Sequence, residues 1–368
     1  MTPPRPRVAI DAHTLGRRAT GNETYARGLL SGLVQRTDVE PIALVDREAE
    51  LPDWLVGHHA QLRHRHAALR LLSELSTARR RWSADLLHVQ YVRPPWSDLP
   101  IVTTIHDISF EHFPRLFTGR TRTRMRLTIP WSARHSRLVL TGSRHAAADL
   151  LDTYHLPADR VVVTPYAAEP GFHRLPADEV ARRLARFQLP AAFLLCVGNL
   201  QPRKNLRRLI EAYAGLPHDM RPALVVVGQA AWLYDEVYAA VGLHGLADAT
   251  HFTGFVTTDE LVALYCAASA FAYPSLYEGF GLPVLEAMAC GVPTLTSTTS
   301  SLPEVAGDAA LLVDPASVEE IRAGLERLLG DAALRARLAE AGPARAAEFS
   351  WERCAADTAA AYQLALAS

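Results

Sequence analysis

RVAID (7–11), PIALV (41–45), DLLHV (85–89), IVTTIHD (101–107), RLVLTGS (137–143) and RVVVTPY (160–166) are short, nearly continuous apolar runs with helix-length amphipathic stretches between them. A run that is apolar at successive positions hides both of its faces, as a strand of parallel sheet does when helices cover it on both sides. The pattern then fails: PYAAEPGFHRLPADE (165–179) carries three prolines and a glycine without a period, and reads as a linker. A second series comes after it in FLLCVG (193–198), ALVVVG (223–228), THFTG (250–254), AFAYPS (270–275), PTLTS (293–297) and ALLVD (310–314), and beyond Asp314 the chain is Ala- and Arg-rich and helical. At 368 residues the chain exceeds what one core accommodates. The expectation is an α/β protein with two doubly wound, Rossmann-like domains facing a cleft, over residues 1–170 and 171–349.

Composition removes several classes of function. A formal net charge of −1 gives no overall attraction to nucleic acid. Cys196, Cys266, Cys290 and Cys354 form no CxxC pair, which argues against a disulfide framework or a zinc knuckle and for a reducing compartment. MTPPRPRVAID lacks the apolar segment of a signal peptide, and no apolar run has the length of a membrane span. A cytoplasmic location is expected.

Ligands of such sheets bind at the carboxyl ends of strands, so the loops after Asp11, Thr104, Gly198, Gly228 and Ser275 are the places to search. PSLYEGFGLPVLEAMACGVPT (274–294) holds two carboxylates in an apolar, glycine-punctuated stretch. Glu278 falls on the loop and Glu286 early in a helix that Pro283 opens and Gly291 closes. A phosphate at that helix N-terminus, with carboxylates accepting from hydroxyls, describes a nucleotide-sugar site. The plainer alternative is that Glu286 complements the helix dipole and Glu278 is solvated. In NLQPRKN (199–205), Arg203 and Lys204 precede a helix, where cations are unfavourable unless an anion binds. His106 and Asp107 end a strand of the first domain. Gly21 and Asn22 stand at a helix start, as a cap formed by Thr20 or Asn22 or as a loop closing on phosphate. His58, His59 and the RHRH run at 63–66 lack convergent carboxylates and do not read as metal ligands. Arg115, Arg120, Arg122, Arg124, Arg126, Arg134, Arg137 and Arg144 lie in a stretch with no Asp or Glu, either a solvated face or a patch for anionic acceptors or lipid headgroups.

Taken together, these residues resemble the retaining glycosyltransferases of family 4, which have the GT-B fold. The resemblance covers essentially the whole chain and rests on E-x7-E (Glu278 to Glu286), on the Arg203-Lys204 pair and on the His106-Asp107 pair. It implies a first domain that binds a hydroxyl-bearing acceptor, completed by a C-terminal helix at about 350–368 that crosses back. The second domain would bind a nucleotide diphosphate sugar. It implies that Arg203 and Lys204 neutralise the leaving diphosphate and that Glu286 takes the ribose hydroxyls. Glu278 with Gly279, Phe280, Gly281 and Leu282 would hold the sugar, and His106 would reach it from the other domain. Gly21, Asn22 and Gly198 would lie near the phosphates and Asp107 near the acceptor. Many members have two glycines where this chain has Gly21-Asn22; asparagine tolerates left-handed angles, so a close turn survives. A front-face mechanism is implied, in which the departing phosphate takes the acceptor proton, with no metal and no other cofactor. The THDISFEHFP and TGNETY segments look most like bacterial polysaccharide mannosyltransferases, which favours GDP-mannose. A UDP-sugar transferase, a nucleotide-sugar 2-epimerase and a non-catalytic binding partner stay open as alternatives. So does peripheral membrane contact through the 115–144 segment.

Overall fold

In a computed structural model the chain is described over residues 5–17, 21–64, 66–229 and 234–367. It divides into two compact units, residues 1–167 with 350–368, and residues 168–349. Thr20, a candidate cap, lies outside the described residues.

Among the described residues the first unit holds a seven-stranded parallel sheet. Its strands are β1 (Arg7–Asp11), β2 (Glu40–Asp46), β3 (His59–Leu62), β4 (Leu86–Gln90), β5 (Ile101–Thr104), β6 (Leu138–Thr141) and β7 (Val161–Val163). The order is β3-β2-β1-β4-β5-β6-β7, with registers such as Ala9 opposite Ile42 and Leu87 opposite Ile101. The second unit holds six parallel strands, β8 (Phe193–Val197), β9 (Ala223–Val227), β10 (Thr250–Gly254), β11 (Ala270–Tyr273), β12 (Thr294–Ser297) and β13 (Leu311–Val313), in the order β10-β9-β8-β11-β12-β13. Each run singled out in the sequence contains all or most of a strand. The strand not foreseen is β3, whose HAQL is polar because it lies at the sheet edge and hides little. In both sheets the chain starts in the middle and reverses direction once, between β1 and β4 and between β8 and β11. Such a reversal leaves a crevice at the carboxyl ends of those two strands.

Six helices frame the candidate residues: α1 (Gly21–Leu33), α2 (Gly119–His135), α3 (Leu206–Ala214), α4 (Thr258–Ala267), α5 (Leu282–Ala289) and α6 (Trp351–Ala367). The C-terminal helix α6 belongs to the first unit and packs on α1. A β-carbon at Gly28 would lie 2.0 Å from the Trp351 ring, and one at Gly32 2.7 Å from the Ala355 side chain. Two glycines one turn apart thus open a groove on α1 for an indole, and Trp351 is 3% exposed there. Farther along α6, the Tyr362 hydroxyl shares a 2.6 Å bond with His88 Nδ1 of β4, tying residues 274 positions apart. Among the described residues no helix is long and apolar enough to cross a membrane.

Candidate functional site

In the second unit the reversal between β8 and β11 brings the two singled-out loops together. After β8 the chain passes Gly198 (φ +142°) and makes a short 3-10 turn, Pro202–Lys204, before α3. Gly228 at the end of β9 crowds Gly198: a β-carbon there would meet the Gly198 carbonyl oxygen at 2.1 Å, so Gly228 must lack one for the two segments to pass so closely. The loop after β11 is laid against the 3-10 turn. The Leu276 amide donates to the Arg203 carbonyl at 2.9 Å, and Asn205 Nδ2 donates to the carbonyls of Pro274 (2.9 Å) and Pro315 (2.7 Å).

Buried Glu278 forms one triad with the partly buried Arg203 and Lys204, the latter 74 positions away from it in sequence. Arg203 Nη1 lies 2.8 Å from Glu278 Oε2, and Lys204 Nζ lies 2.8 Å from Oε1. Ser275 Oγ (2.5 Å) and the Tyr273 hydroxyl (3.0 Å) also donate to Oε1, and Lys204 stands over the Tyr273 ring at 4.8 Å. Burial alone would raise the Glu278 pKa, but Arg203 and Lys204 outweigh it and hold the carboxyl down at about 2. Glu278 is therefore an anion at any physiological pH and not a solvated loop residue. The loop carrying it is pinned by the serines after β12. The Glu278 amide donates to Ser300 Oγ at 3.0 Å, and Ser301 Oγ reaches the Glu278 and Phe280 carbonyls at 2.8 and 2.6 Å.

Glu286 is in the opposite state. It lies in the second turn of α5, too far in to be a dipole partner, and is 8% exposed. Burial chiefly pushes its pKa up, to about 7, with the Tyr265 hydroxyl bond opposing and nearby Glu169 adding to the rise. Two carboxylates eight residues apart thus hold different charge near neutrality, a division typical of functional sites. Gly281 (φ +117°) precedes α5, Leu282 is its first residue, and Phe280 is buried edge-on against Phe349 at 5.7 Å.

In the first unit His106 is 9% exposed beyond β5. Its Nε2 donates to Gln90 Oε1 at 2.9 Å, since an amide oxygen only accepts, and Nδ1 accepts from the Tyr166 hydroxyl at 2.7 Å. Burial lowers its pKa to about 4, against a small opposing effect of Asp107, so the imidazole is neutral and fixed in one tautomer. Tyr25 of α1 packs on it at 4.8 Å and binds Thr104 Oγ1 at 2.8 Å, and Thr104 also meets His88 Nε2 at 2.7 Å. Asp107 is turned to its own backbone: Oδ1 accepts from the Ser109 amide (2.9 Å) and hydroxyl (2.6 Å). Asn22 is inside the first turn of α1 and not a cap, and Gly21 is exposed with open space around it. Near β1, Asp11 pairs with His13 (2.9 Å) and Arg70 (3.5 Å), which sequence alone did not connect.

Among the described residues no three His, Cys, Asp or Glu side chains gather as metal ligands. The four cysteines are free thiols. The arginines of 115–144 do not form one unopposed patch, because Glu111 reaches Arg126 at 3.0 Å from outside the segment. Sequence reasoning missed Tyr265, Tyr273, Ser275, Asn205, Tyr166 and Gln90. Tyr273 and Ser275 precede Glu278 in AFAYPSLYE and Asn205 follows Lys204 in NLQPRKN, so their place beside the two motifs was the available signal; Tyr265, Tyr166 and Gln90 come from distant elements.

Comparison with known proteins gives the same division. A family model described as "Glycosyltransferase Family 4" matches residues 19–170, and one described as "Glycosyl transferases group 1" matches residues 180–345. The O-antigen chain mannosyltransferase B of Escherichia coli is 38% identical over 267 residues, which is 72% of this chain and 70% of that protein. The serotype-specific mannosyltransferase WbdA of Escherichia coli is 35% identical over 219 residues, 58% of this chain but only 27% of that longer protein. A sucrose-phosphate synthase from Thermosynechococcus elongatus superposes with a TM-score of 0.78 at 21% identity, covering 99% of this chain and 100% of that one, and shows the shared fold.

Proposed function

This chain belongs to family 4 of the glycosyltransferases, and we propose that it moves mannose from GDP-mannose to a hydroxyl-bearing glycan, lipid-linked or small-molecule acceptor, with retention at the anomeric carbon. The observation that carries the reading is the triad of Arg203, Lys204 and Glu278 at the reversal point of the second sheet. Two cations and one anion leave a net charge of +1, held in place before any substrate arrives. The slow step of glycosyl transfer is loss of a nucleoside diphosphate from a carbon of oxocarbenium character. Charge already organised against the leaving group lowers that barrier without reorganisation at the moment of reaction. Arg203 and Lys204 are 13% and 12% exposed, so their side chains keep little water to shed. Glu278 and the backbone of Gly279–Leu282 are assigned to the sugar, Glu286 to the ribose hydroxyls, and the neutral His106 of the first unit to a substrate hydroxyl. No carboxylate is positioned as a glycosidase-type nucleophile in this reading. The departing phosphate oxygen takes the acceptor proton as the acceptor oxygen bonds to the anomeric carbon on the same face, and no metal is called for. Mannose is favoured by the relatives' names, and the first unit is assigned to the acceptor. Residues of α2 are assigned to an anionic surface, acceptor or membrane.

A thermal-shift series with GDP, UDP, ADP and dTDP tests this, with Glu286→Ala as control. Ligand at a hundredfold excess over its Kd stabilises by about 2.7 kcal/mol. GDP is expected to give the largest shift and Glu286→Ala to lose it. A shift by UDP alone would replace the donor, and an epimerised sugar nucleotide formed without acceptor would replace the reaction.

A further inference from the structure

Tyr265 of α4 is fully buried, and its hydroxyl stands between two oxygens, Glu286 Oε2 at 3.1 Å and the Pro283 carbonyl at 3.2 Å. A phenol has one hydrogen and can also accept. When Glu286 is ionised, that hydrogen turns to the carboxylate. When Glu286 is protonated, the acid donates to the phenol oxygen and the phenol donates to Pro283. The same atomic positions serve both charge states, so a proton can enter or leave with no backbone movement. The other charged and titratable groups acting on the pair are few. Glu169, in the segment after β7, repels a second negative charge, and Lys204 favours one. The Cys290 thiol, at the C-terminal cap of α5, is hydrogen-bonded to the Cys266 thiol next to Tyr265 on α4, whose pKa that bond chiefly lowers to about 6, and Tyr273 acts on Tyr265. Burial dominates them all, and Glu286 titrates close to neutrality at about 7.

We infer that Glu286 is a proton-linked gate on sugar-nucleotide binding, with Tyr265 as the positioning residue that lets it change charge in place. The inference rests on the assignment of Glu286 to the ribose hydroxyls. Those hydroxyls bind as donors, and a carboxylate accepts them far better than an acid that carries its own hydrogen. Binding therefore releases the Glu286 proton to bulk water. No bond other than O–H is broken.

Calorimetric titrations with GDP-mannose and, in parallel, UDP-glucose between pH 6 and pH 8 test the gate. Neither sugar pyrophosphate ionises in this range. The wild-type protein is expected to bind ~tenfold more weakly at pH 6 than at pH 8. Buffers of different ionisation enthalpy should report close to one proton released per site at pH 6 and almost none at pH 8. Glu286→Gln should bind more weakly with a flat profile and no proton release. Tyr265→Phe should move the midpoint upward, because the lost charge-assisted bond supported the ionised form; a purely structural role would weaken binding equally at every pH. Wild-type binding that is flat with pH overturns the gate and leaves the donor site standing. No binding of either sugar nucleotide at any pH overturns the donor site and the gate with it. Should Tyr265→Phe fail to fold, the contrast between wild type and Glu286→Gln still separates a gate from a fixed acceptor.

Discussion

An exposed pair of cations before a helix could be removed with little loss of stability. Arg203 and Lys204 are not such a pair, because each is bound to a buried carboxylate. Breaking a buried pair on one side leaves uncompensated charge, at a cost of about 3–5 kcal/mol for an isolated pair. Here the remaining cation shares the load, so Arg203→Ala and Lys204→Ala are each expected to cost less than that in urea unfolding while lowering transfer by ~10²–10³-fold, as loss of a preorganised donor does. Glu278→Ala should cost more stability than either, since it strands two cations at once. Equal stability of all three variants would dissolve the triad as a unit. The participants were legible in the sequence, because cations before a helix and carboxylates in an apolar stretch both need an explanation. Their pairing was not. It depends on β8 and β11 being neighbours, a fact of sheet order that no local spacing encodes. The Tyr166 and Gln90 partners of His106 were hidden in the same way.

Helix α2 shows how an element turns scattered residues into a surface. Arg120, Arg124, Leu127, Trp131 and Arg134 recur at helical spacing along one side, and Leu127 is 71% exposed. An apolar residue between long basic side chains suits an anionic interface, where stems lie along hydrocarbon and charged heads meet phosphate. Each such cation near a charged membrane contributes about 1 kcal/mol. The Arg120→Glu, Arg124→Glu pair is expected to reduce co-sedimentation with phosphatidylglycerol vesicles by tenfold or more at low salt. Phosphatidylcholine vesicles should retain neither protein, and wild-type retention that ignores salt would argue against charge as the cause. The basic stretch was readable, but the stripe was not, since the same segment also sends Arg126 to Glu111 and Arg122 to the Pro114 carbonyl. Strands were the easiest elements to read because burial on both faces leaves only apolar residues, and β3 escaped because an edge strand is under no such demand.

At the scale of the whole molecule the two units carry buried titrating groups of opposite sense. In the first unit His88 and His106 are held neutral, with pKa values lowered from 6.5 to about 3 and about 4, chiefly by burial. An unfolded chain binds those two protons near pH 6.5 and the folded one does not. Their contribution is therefore complete above pH 6.5 and is lost as pH falls, at up to about 1.4 kcal/mol per pH unit for each group. In the second unit Glu286 is raised from 4.5 to about 7. The folded state holds that proton more tightly, so its contribution is complete below pH 4.5 and is lost as pH rises through 7. Glu278, lowered to about 2, changes nothing between pH 7 and pH 5. Mild acid should therefore weaken the first unit and, since the Cys266 thiol lowered to about 6 offsets part of the Glu286 gain, leave the second level or stronger. Hydrogen exchange, corrected for the intrinsic rate at each pH and resolved by peptide, reads the units separately. From pH 7 to pH 5, protection is expected to fall in β4, β5 and α6 and to hold or rise in β8, β11 and α5. A parallel fall in both units would mean that Glu286 does not keep its proton in the folded state, and a flat first unit would mean that His88 and His106 admit charge where the buried network leaves it no solvent.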